Sequence, residues 1–173
     1  MSKRILILGV GNAQLDLILL CRELNFNIYA ISYKDEGIGR QFADHFEVID
    51  ILDIDTVLDF VKRHSIDLLY SVGSDIAMPT IAYVSEKLEL PFYVDFKTAE
   101  MMQSKFKMRQ FLYGHELDSV PFKLITSAKD LSDWKYFPAI IKPVDSQGQR
   151  GVFRADNPSD LANYYEKSKQ YSR

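Results

Sequence analysis

Short apolar runs alternate with amphipathic stretches along the first half of the chain, the pattern of a parallel α/β sheet. RILILGV (4–10) reads as the first strand and NIYAIS (27–32) as the second. FEVID (46–50), DLLYSVG (67–73) and LPFYV (90–94) read as the third, fourth and fifth. Between them, NAQLDLILLCREL (12–24) carries Leu15, Ile18 and Leu19 at helical spacing, with Asn12 in a capping position. DIDTVLDFVKRHS (53–65) sets Val57, Leu58 and Val61 on one stripe, and IAMPTIAYVSEKL (76–88) supplies a further helix. Residues 1–95 are therefore expected to form a compact, doubly wound domain.

The character changes after that point. FKTAEMMQSKFKMRQFLYGHEL (96–117) predicts a long helical region, divisible into two helices, with Lys97, Lys105, Lys107 and Arg109 clustered in it. FKLITS (122–127) predicts a strand, AKDLSDW a short helix, AIIKPV (139–144) a strand and VFRAD (152–156) its hairpin partner. NPSDLANYYEKSKQY opens with a cap, Pro158 at the first helical position and Asp160 in the first turn. Two or three strands with two helices make a marginal unit. Residues 96–173 are expected to be the first part of an incomplete α+β domain.

Composition narrows the function classes. The chain of 173 residues is 47% hydrophobic and 26% charged, which fits a soluble globular protein with a real core. A net charge of -3 argues against general nucleic-acid binding, which needs a basic footprint. A local basic cluster for a small phosphorylated ligand stays open. Cys21 is the only cysteine, so no disulfide framework exists and a reducing cytoplasm is the natural expectation. No apolar run reaches the ~20 residues of a spanning helix, and Ile5 to Val10 is too short for a signal peptide.

Four stretches carry candidate chemistry. GVGNAQ (9–14) opens like the glycine fingerprint of dinucleotide-binding folds, but Gln14 replaces the third glycine. The second strand also ends Ile31-Ser32-Tyr33, with no acid before Asp35. A turn needed only for the fold and an open helix N-terminus that favours anions both fit Gly9 and Gly11. In SVGSD (71–75), Ser74 or Asp75 either caps the helix at 76 or faces a ligand beside the glycines. In SKFKMRQFL (104–112), Lys105 and Arg109 share a helix face, which alone is ordinary solvated surface.

The fourth is FPAIIKPVDSQGQRGVF (137–153). Its strand puts Ile140 and Lys142 on one face and Ala139 and Ile141 on the other. Lys142 is either an edge-strand guard against aggregation or a point charge beside a phosphate loop. That loop comprises Ser146, Gln147, Gly148, Gln149, Arg150 and Gly151. His45, His64 and His115 are scattered, without metal-ligand spacing, so no metal ligand is assigned and no nucleophilic triad is argued.

Taken in order, these segments resemble the start of an ATP-grasp enzyme, the superfamily of biotin carboxylase, the carbamoyl phosphate synthetase large subunit and glycinamide ribonucleotide synthetase. The match runs from ILILGVGNAQLDLILLCRELNFNIYAIS through FADHFEVID, IDLLYSVGSDIAMPTIAYVSEKLELP, SKFKMRQFL and VPFKLITS to FPAIIKPVDSQGQRGVFRADNPSDL. The resemblance covers essentially the whole chain and implies a Rossmann-like preATP-grasp domain with a parallel sheet, followed by the opening of the grasp domain. It implies that Lys105 and Lys142 contact the α- and β-phosphates of ATP, under a flap formed by residues 146–151. It also implies that Gly9, Gly11, Asn12, Ser74 and Asp75 face the acceptor substrate.

The implied reaction is ADP-forming: a carboxylate is activated as an acylphosphate, which an amine or a thiol then attacks. Positioning and charge neutralisation are what such chemistry asks of a protein. ATP and magnesium are the implied cofactors, and the partners are a small carboxylate and a nucleophile, without nucleic acid or membrane; a homodimer is left open. The family's magnesium ligands and adenine contacts lie downstream of the segments matched. The chain is therefore expected to be an N-terminal portion, inactive by itself. The alternative is a non-catalytic Rossmann-like module that binds a nucleotide or metabolite, and a dehydrogenase is a third, weaker reading.

Overall fold

Strand β1 (Arg4–Leu8) is apolar on both faces, with Ile5, Leu6, Ile7 and Leu8 all buried. That is the mark of a central strand in a parallel sheet covered by helices on each side. The computed structural model describes residues 2–117, 120–144, 146 and 148–172. The chain divides into two compact units, Met1–Gln103 and Ser104–Arg173.

In the first unit β1 is followed by helix α1 (Asn12–Glu23), β2 (Asn27–Ser32), β3 (His45–Val48), α2 (Ile54–His64), β4 (Leu68–Tyr70), α3 (Met78–Lys87) and α4 (Phe96–Gln103). The sheet order is β3-β2-β1-β4 and every pairing is parallel, with Leu8 opposite Ile31 and Ile7 opposite Tyr70. Alternate strand residues face two cores. Leu6, Leu8, Tyr29 and Ile31 pack with Val57, Phe60 and Val61 of α2 and Ile81 and Val84 of α3. Ile5, Ile7, Ile28 and Ala30 pack with Ile18 and Cys21 of α1. The unit is therefore doubly wound, an α/β fold as expected. Helix α2 is capped by Asp53, whose carboxylate accepts from Thr56 N–H at 3.1 Å, and it ends in Lys62, Arg63 and His64, which suit its negative pole.

The expected fifth strand does not form. Residues 90–94 take no ladder position among the described residues, and the sheet has four strands. The reason lies at the end of α3. Glu89 adopts a left-handed conformation (φ 55°) and Leu90 N–H donates to Ser85 C=O at 2.9 Å. This helix-terminating wrap uses the donor that a strand would need. Phe92 and Tyr93 remain exposed.

In the second unit, α5 (Lys105–Gly114) begins after a break at Ser104, whose hydroxyl accepts from Lys107 N–H at 3.3 Å. The long helical stretch is thus two helices, α4 and α5. FKLITS is not a strand. The N–H groups of Thr126 and Ser127 donate to the Asp130 carboxylate at 2.9 and 2.8 Å, which folds 126–131 into a turn with a short 3-10 segment (Ala128–Leu131). Strands β5 (Ala139–Ile141) and β6 (Phe153–Ala155) form an antiparallel hairpin with Ala139 opposite Ala155. Helix α6 (Pro158–Lys169) is capped by Asn157, which accepts from Asp160 N–H at 2.9 Å, with Pro158 at its start. Ile141, Ala155, Leu161 and Tyr165 make the small core under this hairpin.

Candidate functional site

The alternation in β5 decides where Lys142 goes. Ala139 and Ile141 are buried, while Ile140 is 59% exposed, so Lys142 leaves the strand on the solvent face with Ile140. Lys105, the first residue of α5, reaches the same region. Its Nζ donates to Ser146 C=O at 2.6 Å and lies 3.5 Å from Val144 C=O. The ammonium of Lys142 titrates below the ordinary lysine value, first through partial burial and then through repulsion from Arg109 and Lys105. Three cationic side chains thus act on one small volume. Arg109, one helical turn after Lys105, belongs to this cluster; the shared helix face of the two residues was its only sequence signal.

The turn between β5 and β6 is held from inside and from behind. Ser146 Oγ donates to Arg150 C=O at 2.6 Å. Gly148, Gln149 and Gly151 all have positive φ, at 63°, 61° and 71°. A Cβ on Gly148 would have no neighbour within 4 Å among the described residues. At Gly151, by contrast, a Cβ would lie 2.9 Å from Pro143 Cγ and from Tyr171 Cβ and Cδ2, so this buried position requires glycine. Gly151 C=O accepts from the buried Ser168 Oγ at 2.8 Å. Gln147, expected to belong to the loop, lies outside the described residues. Ser168 and Tyr171, which brace the turn, carry no motif that marks them in the sequence.

The first unit brings together the loops that follow β1 and β4. These strands are neighbours, and the strand order reverses between them, the place where open α/β sheets bind ligands. Gly11, not Asn12, is the N-cap of α1, because the Gln14 side chain folds back and its Oε1 accepts from Gly11 N–H at 3.0 Å. The same carboxamide donates through Nε2 to Val72 C=O at 2.5 Å. Ser71 Oγ donates to Leu8 C=O at 2.6 Å, and a Cβ on Gly73 would lie 2.9 Å from Ala13 Cβ. The two loops are therefore stitched together.

Ser74 and Asp75 do not cap the following helix through their side chains. A 3-10 turn (Asp75–Ala77) intervenes, and neither it nor α3 has a side-chain cap. Asn12 and Asp75 are exposed and Ser74 half-buried, at the mouth formed with Gly9 and Gly11.

Among the described residues no group of three or more His, Cys, Asp or Glu side chains is arranged to hold a metal ion. No helix of the described residues is long and apolar enough to cross a membrane. Burial raises the Cys21 thiol above its ordinary range, which makes it an unreactive core residue.

No family model matches the chain. It is 25% identical over 178 residues to a formate-dependent phosphoribosylglycinamide formyltransferase of Prochlorococcus marinus (strain MIT 9301), with 99% of this chain and 45% of that protein covered. The chain thus spans about half the length of the curated relatives it matches. Among solved structures, L-amino acid ligase from Bacillus licheniformis aligns with a TM-score of 0.78 at 22% identity, over 97% of this chain and 42% of the other. The biotin carboxylase domain dimer of Hydrogenobacter thermophilus 2-oxoglutarate carboxylase, in complex with MgADP, ADP and bicarbonate, aligns with a TM-score of 0.76 at 19% identity, over 99% and 41%. The chain has the fold of the N-terminal portion of the ATP-grasp enzymes.

Proposed function

We propose that this chain is the N-terminal portion of an ADP-forming, ATP-dependent carboxylate ligase. The observation that carries the reading is the cluster of Lys105, Arg109 and Lys142 beside a glycine turn to which Lys105 is hydrogen-bonded. An isolated guard lysine on an edge strand needs no other cation beside it. Like charges held together are relieved by an anion, and a phosphate group is the anion this geometry suits.

On this reading Lys105 and Lys142 hold the α- and β-phosphates of ATP, and the turn from Ser146 to Gly151 covers the β- and γ-phosphates. Magnesium accompanying the nucleotide would spread the phosphate charge further, through ligands outside the matched segments. Bound ATP supplies the phosphoryl group that activates the carboxylate. The residues of this chain position that group and neutralise its charge, which is most of what phosphoryl transfer requires. Cations anchored at the start of a helix and just past the end of a strand are already placed before the ligand arrives, so little reorganisation opposes them.

The loops carrying Gly9, Gly11, Asn12, Ser74 and Asp75 would face the acceptor substrate. The relatives' names speak of formate, bicarbonate and amino acids, all small substrates containing a carboxylate or its analogue. The protein would work in the cytoplasm. Association into a homodimer, the form named for the biotin carboxylase domain, would be compatible with the outer edge of β3, which pairs with no further strand among the described residues.

The test is nucleotide binding by the full-length protein. Lys142→Ala should weaken MgADP binding by about tenfold or more, the effect of losing one charge-assisted hydrogen bond. Unchanged affinity would remove Lys142 from the site. The chain of 173 residues alone should show no ATP turnover, and efficient hydrolysis by it would overturn the division of labour described here.

A further inference from the structure

Among the described residues, Lys142 is the member of the basic cluster whose side chain has no partner. Lys105 is anchored on the carbonyl oxygens of Ser146 and Val144, and Arg109 is half-buried on the same helix face. Lys142 is exposed, and no hydrogen bond or ion pair engages its ammonium among the described residues. Its backbone is fixed all the same. Ile141 and Pro143 on either side are buried, and Pro143 lies against Gly151 at the end of the turn.

An amine in that setting is a nucleophile as well as a charge. Partial burial, then repulsion from Arg109 and Lys105, holds its ammonium below the ordinary lysine value. At neutral pH more of it therefore carries a free electron pair than an ordinary surface lysine does. The same two cations draw anions to its side. An acyl phosphate combines what the two properties select: a phosphate dianion and, joined to it through one oxygen, an electrophilic carbonyl carbon.

We infer that Lys142 is a modification site for acyl phosphates from solution, which acylate its amine while Lys105 and Arg109 hold the phosphate group. The nitrogen electron pair attacks the carbonyl carbon, a C–N bond forms, and the bond from that carbon to the bridging oxygen breaks. The electron pair of the broken bond leaves with inorganic phosphate, which also takes the proton lost by the amine. The product is an uncharged amide, so the cluster loses one of its three cations and its hold on a nucleotide weakens. The inference rests on the reading of the cluster as a phosphate site and adds a reaction that the proposed ligase chemistry does not use.

The test is treatment of the 173-residue chain with acetyl phosphate near neutral pH, with the initial rate at each lysine read by peptide mass spectrometry. Lys142 should react about tenfold or more faster than Lys97 and Lys129, exposed lysines outside the cluster, as anion enrichment by a focused positive field predicts. Saturating inorganic pyrophosphate should slow Lys142 by about tenfold and leave Lys97 and Lys129 unchanged. Arg109→Met should slow Lys142 in the same way.

If Lys142 reacts no faster than Lys97 and Lys129 while pyrophosphate still shifts the amides of Gly148 and Gly151, the inference is overturned and the phosphate site stands. Fast acetylation of Lys142 that pyrophosphate does not slow overturns both, because phosphate is then not what guides the donor. Ordinary reactivity together with unmoved amides also removes both. Should Arg109→Met fail to fold, the comparison among lysines of the wild-type chain still decides.

Discussion

The ammonium of Lys105 donates to the carbonyl oxygen of Ser146 at 2.6 Å, across 41 residues of sequence. It also lies 3.5 Å from Val144 C=O, so one side chain of α5 secures the start of the glycine turn through backbone acceptors. An ammonium has three donors, and two carbonyls leave one for an anion. Lys105→Met should therefore speed hydrogen exchange at Gly148 and Val152 by roughly tenfold in the absence of any ligand. Lys105→Arg, which keeps a donor, should restore much of the protection. Unaltered exchange in the methionine variant would mean that this contact does not hold the turn.

Lys142 should cost the folded protein stability. Its ammonium titrates below the ordinary lysine value of 10.5, so folding disfavours the protonated form. The penalty is complete below the folded-state value and disappears as pH rises to 10.5. Lys142→Met is therefore expected to melt higher than wild type at pH 7 in anion-free buffer, with the difference shrinking as pH approaches 10.5. A variant less stable than wild type at pH 7 would contradict the repulsion described among Lys105, Arg109 and Lys142.

The two glycines of the turn should respond differently to alanine. Gly151→Ala forces a Cβ into Pro143 and Tyr171 at a positive φ, and should destabilise the second unit by about 2–3 kcal/mol. Gly148→Ala meets only the backbone preference and should cost about 1 kcal/mol. Denaturant unfolding of the two variants gives both values, and equal costs would show that Gly151 is not packed as described.

Asp130 anchors the segment that departs from strand geometry. The N–H groups of Thr126 and Ser127, with the Thr126 hydroxyl, hold its carboxyl at about 2, below the ordinary 3.8. Folding favours the ionised form, so its contribution is complete above 3.8 and is lost as pH falls towards 2. Asp130→Asn should remove that dependence, and the two stability curves should draw together in acid. Parallel curves between pH 5 and 2 would refute the assignment.

Local pattern was enough for much of this architecture. The alternation of Ile140 and Lys142 against Ala139 and Ile141 was legible in the sequence, but only the burial of Ala139 and Ile141 shows that the lysine's face is the solvent one. Asn157, Pro158 and Asp160 marked the start of α6, and the break at Ser104 lies inside a stretch that read as one or two helices. The misread segments failed for a common reason. LPFYV and FKLITS have strand composition, but Leu90 N–H closes α3, and the Thr126 and Ser127 N–H groups serve Asp130. Backbone donors spent on a helix end or a carboxylate cannot join a ladder, and composition does not record how they are spent. The same holds at the candidate site. Gln14 read as a missing glycine, yet its contact with Val72 spans 58 residues and only the fold reveals it. Ser168 of α6 and Tyr171 just beyond its end brace Gly151, and no motif connects them to the turn.

The basic cluster beside the glycine turn is proposed to be a phosphate site. The most direct measurement is an amide NMR titration of the 173-residue chain with inorganic pyrophosphate, for wild type and for the Lys105→Met, Lys142→Met double variant. The prediction is saturable movement of the Lys105, Ser146, Gly148 and Gly151 amides in wild type, weakened by about a hundredfold when two charge-assisted contacts are removed. No movement at these amides in wild type, or an undiminished response in the double variant, would contradict it.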